Sequence, residues 1–171
     1  MNARMEREPG QVKHRTMVER KSDREVVVTR TINGPARIVF EAFAKAELLR
    51  RWWVPKSMGM TLLSCEVDAR VGGKYRLVFA HAPEPVAFFG TYVEVQPYSR
   101  LAWTNEEGGE GGSVTTVTFE EQGGRTLVVL HERYPSKEAL DAAGTGAADA
   151  MVETFDQLDE LLVALGASSG Q

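Results

Sequence analysis

Between Met60 and Arg133 the chain is a succession of short β-rich runs cut by glycine and proline turns, and one long helix follows them. The runs are Met60 to Val67, Gly72 to Ala80, Val86 to Val95, Arg100 to Asn105, Ser113 to Glu120 and Arg125 to Arg133. Their β-branched and aromatic residues suit a pleated, half-buried surface. The breaks at Pro83/Pro85, Gln96-Pro97-Tyr98-Ser99 and Gln122-Gly123-Gly124 are too short to carry the chain back for parallel pairing. Successive runs must therefore pair antiparallel. A sheet of this length and one amphipathic helix hide their apolar faces by packing on each other.

The helix starts at Pro135-Ser136, where Ser136 is a good N-cap and Glu138 and Asp141 sit near the positive end of the dipole. Gly144 and Gly146 weaken its middle, after which Ala147, Met151, Phe155, Leu158, Leu162 and Leu165 make one apolar stripe, with Gly166 as the C′ residue. Upstream, Glu25 to Ile32 reads as a strand stopped by Asn33-Gly34-Pro35. Ala36 to Ala44, with Val39, Phe40 and Phe43 at helical spacing, is a short amphipathic helix. Ala46 to Trp53 is a second, closed by Pro55, because the residue before a proline resists the α region. The expected fold class is α+β: a curved antiparallel sheet of about six to seven strands wrapped around a long C-terminal helix, with two short helices after the first strand. Residues 24–166 form the domain. Residues 1–23, charged and without periodicity, read as a flexible N-terminal tail, with an extra strand as the alternative, and 167–171 as a disordered end. The stretch 106–112, only Gly and Glu, is expected to be an exposed, mobile loop.

Composition narrows the function. The net charge is -4 and basic residues are scattered, so there is no nucleic-acid footprint. No apolar run approaches a membrane span, and residues 1–23 have no signal-peptide pattern. The lone Cys65 excludes an internal disulfide and fits a reducing cytoplasm. His14, His81 and His131 are too far apart for metal-ligand spacing, and Gly72-Gly73 lacks the context of a phosphate loop, so neither metal nor cofactor is expected.

A family likeness runs through the ordered motifs. They are Asn33-Gly34-Pro35-Ala36-x-x-Val39-Phe40-x-Ala42, Leu49-x-x-Trp52-Trp53-x-Pro55, Asp68-x-Arg70-x-Gly72-Gly73-x-Tyr75-Arg76, Gly90-x-Tyr92-x-Glu94-Val95-x-Pro97-x-x-Arg100-Leu101 and Phe155-Asp156-Gln157-Leu158. Over residues 24–165 the chain resembles the START-like, Bet v 1-like helix-grip superfamily, and within it the bacterial homologues of the activator of Hsp90 ATPase. The resemblance implies an apolar cavity between the sheet and the C-terminal helix. Superfamily members bind lipids, sterols or polyketides there, and some catalyse cyclisation or hydrolysis. It also implies a chaperone partner, although the eukaryotic co-chaperone has an N-terminal domain that 1–23 is too short to supply. Many relatives carry Gly-Trp where this chain has Gly146-Ala147, a change that would enlarge the cavity.

The leading expectation is thus a small-molecule binding protein with an apolar ligand; a co-chaperone and an enzyme on the same scaffold are the alternatives. Trp52 and Trp53 point about 100° apart on a helix, so at most one faces the cavity while the other plugs the core. Tyr75, Leu77 and Phe79 share the expected inner face of their strand. Phe88-Phe89-Gly90-Thr91-Tyr92 is apolar on both faces, and Phe89 and Tyr92 are taken as lining candidates with Trp103. From the helix come Ala147, Met151 and Phe155. His131 shares a face with Leu127 and Val129; if that face is inward, His131 could orient a ligand or act as a general base. Glu94 is the other ionisable group considered for catalysis, and no nucleophile motif accompanies either. An exposed edge strand could pair two copies into a homodimer.

Overall fold

The computed structural model of the chain describes residues 14–106, 112–144 and 146–167, with Ala147 as backbone only. The expected tails at 1–13 and 168–171, the loop at 107–111 and the side chain of Ala147 lie outside the described residues. The chain order is β1 (Met17–Arg20), β2 (Glu25–Ile32), α1 (Ala36–Ala44), α2 (Ala46–Leu49), β3 (Leu62–Val67), β4 (Lys74–Phe79), β5 (Val86–Gln96), β6 (Arg100–Thr104), β7 (Val114–Gln122), β8 (Arg125–Arg133), α3 (Lys137–Ala143) and α4 (Gly146–Ala164). All neighbours in the sheet are antiparallel, in the order β1-β2-β8-β7-β6-β5-β4-β3. β3 to β8 form a run of hairpins, and only β2 reaches across, by way of the short helices, to pair with β8.

This is the expected α+β helix-grip architecture with three differences. The sheet has eight strands, because Met17–Arg20 pairs with Val26–Thr29 and extends the order seven residues upstream of the expected start at Arg24. The second short helix is one turn, Ala46–Leu49, with Arg50 to Val54 continuing in turns. The C-terminal helix is two helices: Gly144, at φ 65°, ends α3 by donating its N–H to Leu140. That left-handed geometry suits glycine and stops α-helical propagation. At the far end, Gly166 and Ala167 donate to the carbonyls of Val163 and Leu162, the paired bonds of a Schellman cap.

The Gly72-Gly73 pair has a steric reason. Gly73 lies so close to the Asp68 carbonyl that a β-carbon there would sit 2.0 Å from the oxygen. Gly90 approaches the Thr104 carbonyl in the same way, at 1.8 Å. The register of β4 on β5 and of β5 on β6 needs both approaches.

The core lies between the concave face of the sheet and α4. Val26, Val28 and Ile32 of β2, Val117 and Phe119 of β7, and Val128 and Leu130 of β8 meet Met151, Phe155, Leu158 and Leu162 of α4. Leu165, expected in the same stripe, stays exposed, and Leu161 is buried instead. One charge enters this interface. Arg30 lies on the buried face of β2 with 1% of its side chain exposed, and its guanidinium donates to Asp156 at 2.8 Å and Asp159 at 2.5 Å. Thr16 Oγ1 accepts a third bond at 3.0 Å, and the other Asp159 oxygen accepts the Asn33 N–H at 2.9 Å.

Among the described residues no helix is long and apolar enough to cross a membrane. Removing one member of a buried ion pair leaves the other desolvated and uncompensated. Arg30→Met is therefore expected to lower the unfolding free energy by about 3–5 kcal/mol, read from urea midpoints. A loss under about 1 kcal/mol would show that the carboxylates find water instead.

Candidate functional site

The two tryptophans after α2 take different places. Trp52 is fully buried, its indole N–H donates to the Ala42 carbonyl at 2.9 Å, and its ring packs edge-on to Phe43 and stacks on Phe155. It is a core plug, and Phe155 is core with it. Trp53 is half-buried and turned to the space inside the sheet. Two side chains of α4 hold this segment in place. Gln157 Nε2 donates to the carbonyls of Trp52 and Val54 at 3.0 and 2.9 Å, while its Oε1 accepts the Lys56 N–H at 2.8 Å. One turn earlier, Glu153 accepts both the backbone N–H and the hydroxyl of Ser57.

Beneath Trp53 is a cavity of about 390 Å³. Phe43 and Leu49 from the short helices, Tyr75 and Leu77 from β4, Phe88 and Tyr92 from β5 and Trp103 from β6 line it. Asn105, Ser113, Glu132 and Tyr134 form its polar end. A second space of about 200 Å³ lies against α4, lined by Ala148, Ala150, Met151 and Thr154, and it shares Trp53, Trp103, Asn105 and Glu132 with the first. Rings dominate the wall: Trp103 lies edge-on to Trp53, Tyr75 and Tyr92 at centroid distances of 6.3, 6.3 and 6.2 Å.

The polar end is hydrogen-bonded. The Tyr75 hydroxyl is 2.9 Å from the Thr104 carbonyl and 3.1 Å from Asn105 Oδ1, and Asn105 Nδ2 donates to Ser113 and Thr115. The Tyr134 hydroxyl donates toward Glu132 Oε1 across a long 3.5 Å. Burial raises the Glu132 carboxyl above the ordinary glutamate range, with Tyr134 and His131 opposing weakly. Burial and the neighbouring carboxylate likewise push the Tyr134 phenol to about 12. Burial also raises the Tyr92 phenol.

Several expected lining residues are placed as expected: Trp53, Tyr75, Leu77, Tyr92 and Trp103 around the larger space, and Met151 in the smaller. Phe79 is buried on the inner face but lies behind Phe88, edge-on at 5.6 Å. Phe89 is a correction. It is on the outer face, beside Glu66, Lys74 and Arg76, and its neighbour Phe88 takes the inner position. His131 is the second. Val128 and Leu130 are buried, so the inward face of β8 carries Glu132, and His131 points outward, where Nε2 lies 2.8 Å from the Glu25 carboxylate. His131 holds Glu25 below the usual glutamate range and does not reach the cavity as a base. Glu94, paired to Arg100 at 2.7 Å, is not in the lining either. Glu132 and Tyr134, which join the Tyr75 and Tyr92 phenols as ionisable groups of the lining, were both missed.

The family model described as activator of Hsp90 ATPase homolog 1-like protein matches residues 33–163. The chain belongs to this family. Among solved structures, a Rhodobacter sphaeroides protein is 22% identical with a TM-score of 0.77, over 88% of this chain and 99% of that one. A Mycobacterium smegmatis protein is 23% identical, TM-score 0.74, over 88% and 99%. An AHSA1-like protein from Aeromonas hydrophila is 18% identical, TM-score 0.65, over 85% and 97%. These likenesses show the fold. No curated protein matches the chain. Among the described residues, no group of three or more His, Cys, Asp or Glu side chains is gathered as a metal ion would require.

Two outcomes follow from the site. Gln157→Leu strips the Trp52–Lys56 segment of three hydrogen bonds and should cost about 1–3 kcal/mol. Trypsin should then cut the native protein faster at Lys56, which electrophoresis over time would show. Glu132 gives a pH effect. A carboxyl whose folded pKa is raised holds its proton more tightly when folded, so its contribution to stability declines as pH rises from the unfolded value through the folded one. Glu132→Gln removes that decline. Its stability relative to wild type should increase between about pH 4 and neutrality, read from urea midpoints at each pH.

Proposed function

We propose that this protein binds an apolar small molecule in the cavity beneath Trp53. The observation that carries the reading is the wall itself. Seven aromatic side chains, from Phe43, Trp53, Tyr75, Phe88, Tyr92, Trp103 and Tyr134, surround about 390 Å³ that the described side chains leave unfilled. Interiors are normally packed to crystal density, and a ligand in this apolar-walled, partly open space would make dispersion contacts that the protein's rings do not make with one another. The volume is within the range of pockets that hold small organic molecules, and a mostly apolar wall with a few polar groups at one end is their usual make-up. Membership of a helix-grip family supports the same reading as analogy of fold.

Binding requires no covalent chemistry. The ligand's body would lie among the rings, and its polar end, if it has one, would face Asn105, Ser113 and Glu132. Because Gln157 and Glu153 tie the Trp53 segment to α4, entry would be set by how often that segment loosens.

The test is titration with the neutral fluorescent probe N-phenylnaphthylamine. Wild-type protein should enhance its emission with saturable affinity. Ser113→Trp, which adds bulk to the lining, should weaken binding about tenfold or more without lowering the unfolding midpoint by as much as Gln157→Leu does. His131→Ala, outside the cavity, should leave the affinity unchanged. Equal binding by wild type and Ser113→Trp would place the probe elsewhere and remove the reading.

A further inference from the structure

The cavity's charge pattern narrows the ligand class. Among the described residues lining the two spaces, Glu132 alone carries a charge at neutral pH when ionised, and Lys, Arg and His are missing from both linings. A fatty acid, an organic phosphate or any other anion would bring its charge to a half-buried carboxyl with no counterion, which is strongly unfavourable in a site of low polarity. Aromatic rings add to this. Trp53 and Trp103 line both spaces together with Glu132, and Tyr75 and Tyr92 adjoin Trp103. Ring faces attract cations, tryptophan most strongly, and the attraction grows when water is excluded. A carboxyl set among indole and phenol rings is the arrangement that recognises an ammonium group.

We propose that the cavity takes an organic cation: a protonated amine carried on an apolar or aromatic body. The proposal rests on the cavity-binding reading above and deepens it. The body fills the side made by Leu49, Leu77 and Phe88, and the ammonium group meets Glu132 between Trp53 and Trp103. The ammonium takes the place of the water that burial has stripped from the carboxylate, and it pairs a charge that among the described residues has only the long Tyr134 bond and the His131 ring on the opposite face to offset it. Groups on the other faces do not compete for Glu132. Its cross-strand neighbours are Thr115 on β7 and Val26 on β2, α4 presents Ala148, Met151 and Thr154, and His131 is on the opposite face of β8. Tyr134, which donates to Glu132 only at 3.5 Å, can turn to solvent or to the ligand.

Three probes of one shape and different head groups decide it: phenylbutylamine, phenylbutanol and phenylbutanoic acid, each displacing N-phenylnaphthylamine at neutral pH. The amine should bind about tenfold more tightly than the alcohol, and the acid most weakly. Glu132→Gln should bring the amine to the level of the alcohol, and a urea midpoint at neutral pH no lower than that of wild type shows that the variant is folded. If the alcohol binds as well as the amine, or the acid binds best, the cation proposal fails while the apolar cavity stands. If N-phenylnaphthylamine itself does not bind, the cavity reading fails and this proposal with it. Amine binding that Glu132→Gln leaves unchanged would also overturn the assignment.

Discussion

The Arg30 guanidinium, sunk between β2 and α4 and held by Asp156 and Asp159, decides where the long helix lies on the sheet. Apolar contacts alone would let a helix slide or rotate on a concave surface at modest cost, because the hydrophobic effect is not directional. A buried charge-assisted bond tolerates no such freedom, since a displaced partner leaves an unpaired ion in the core. Asp159 adds to the constraint by accepting the Asn33 N–H, which ties the entry to α1 to the same point. With the helix fixed at this place, Gln157 and Glu153, on successive turns, reach the carbonyls and N–H groups of the Trp52 to Ser57 segment. The ion pair and the bonds to the cavity roof therefore come from the same stretch of α4.

This division also explains why the two adjacent tryptophans differ. Trp52 is needed to fill the end of the core between Phe43 and Phe155, and its N–H is satisfied by Ala42. Trp53, the next residue in the turns after α2, is left at the boundary between core and void. Packing on that side stops, and the rings of Tyr75, Tyr92 and Trp103 enclose space in place of one another.

Much of the fold was legible in the residues, and part of the site could have been. The short turns required antiparallel hairpins, and Ser136 and Gly166 marked the helix limits that the capping bonds confirm. The error at His131 had a remedy in the sequence. A two-residue turn at Gly123-Gly124 pairs Gln122 with Arg125, and hence Val117 with Leu130 and Phe119 with Val128. Cross-strand partners share a face. β7 alternates Val117 and Phe119 with threonines at 116 and 118, so its inner face is unambiguous, and the turn carries that parity to Glu132. Read alone, β8 offered no such signal, because Leu127 and Val129 are as apolar as Val128 and Leu130. Phe88 and Phe89 pose the same problem, and the nearby irregularity between Tyr92 and Glu94 blocks any transfer of parity from β6.

The sequence by itself determined the element order, the antiparallel pairing, the α+β class and the presence of an aromatic-rich inner surface, because these depend on periodicity, turn chemistry and capping, all local in the chain. Only the tertiary structure decided which aromatic rings enclose space, that Arg30 anchors α4, and that a carboxyl and not an imidazole faces the cavity. Those outcomes depend on long-range contacts: Arg30 lies 126 residues from Asp156, and Gln157 lies 101 from Lys56. Cavities form where such distant elements fail to meet, and no local pattern records the gap.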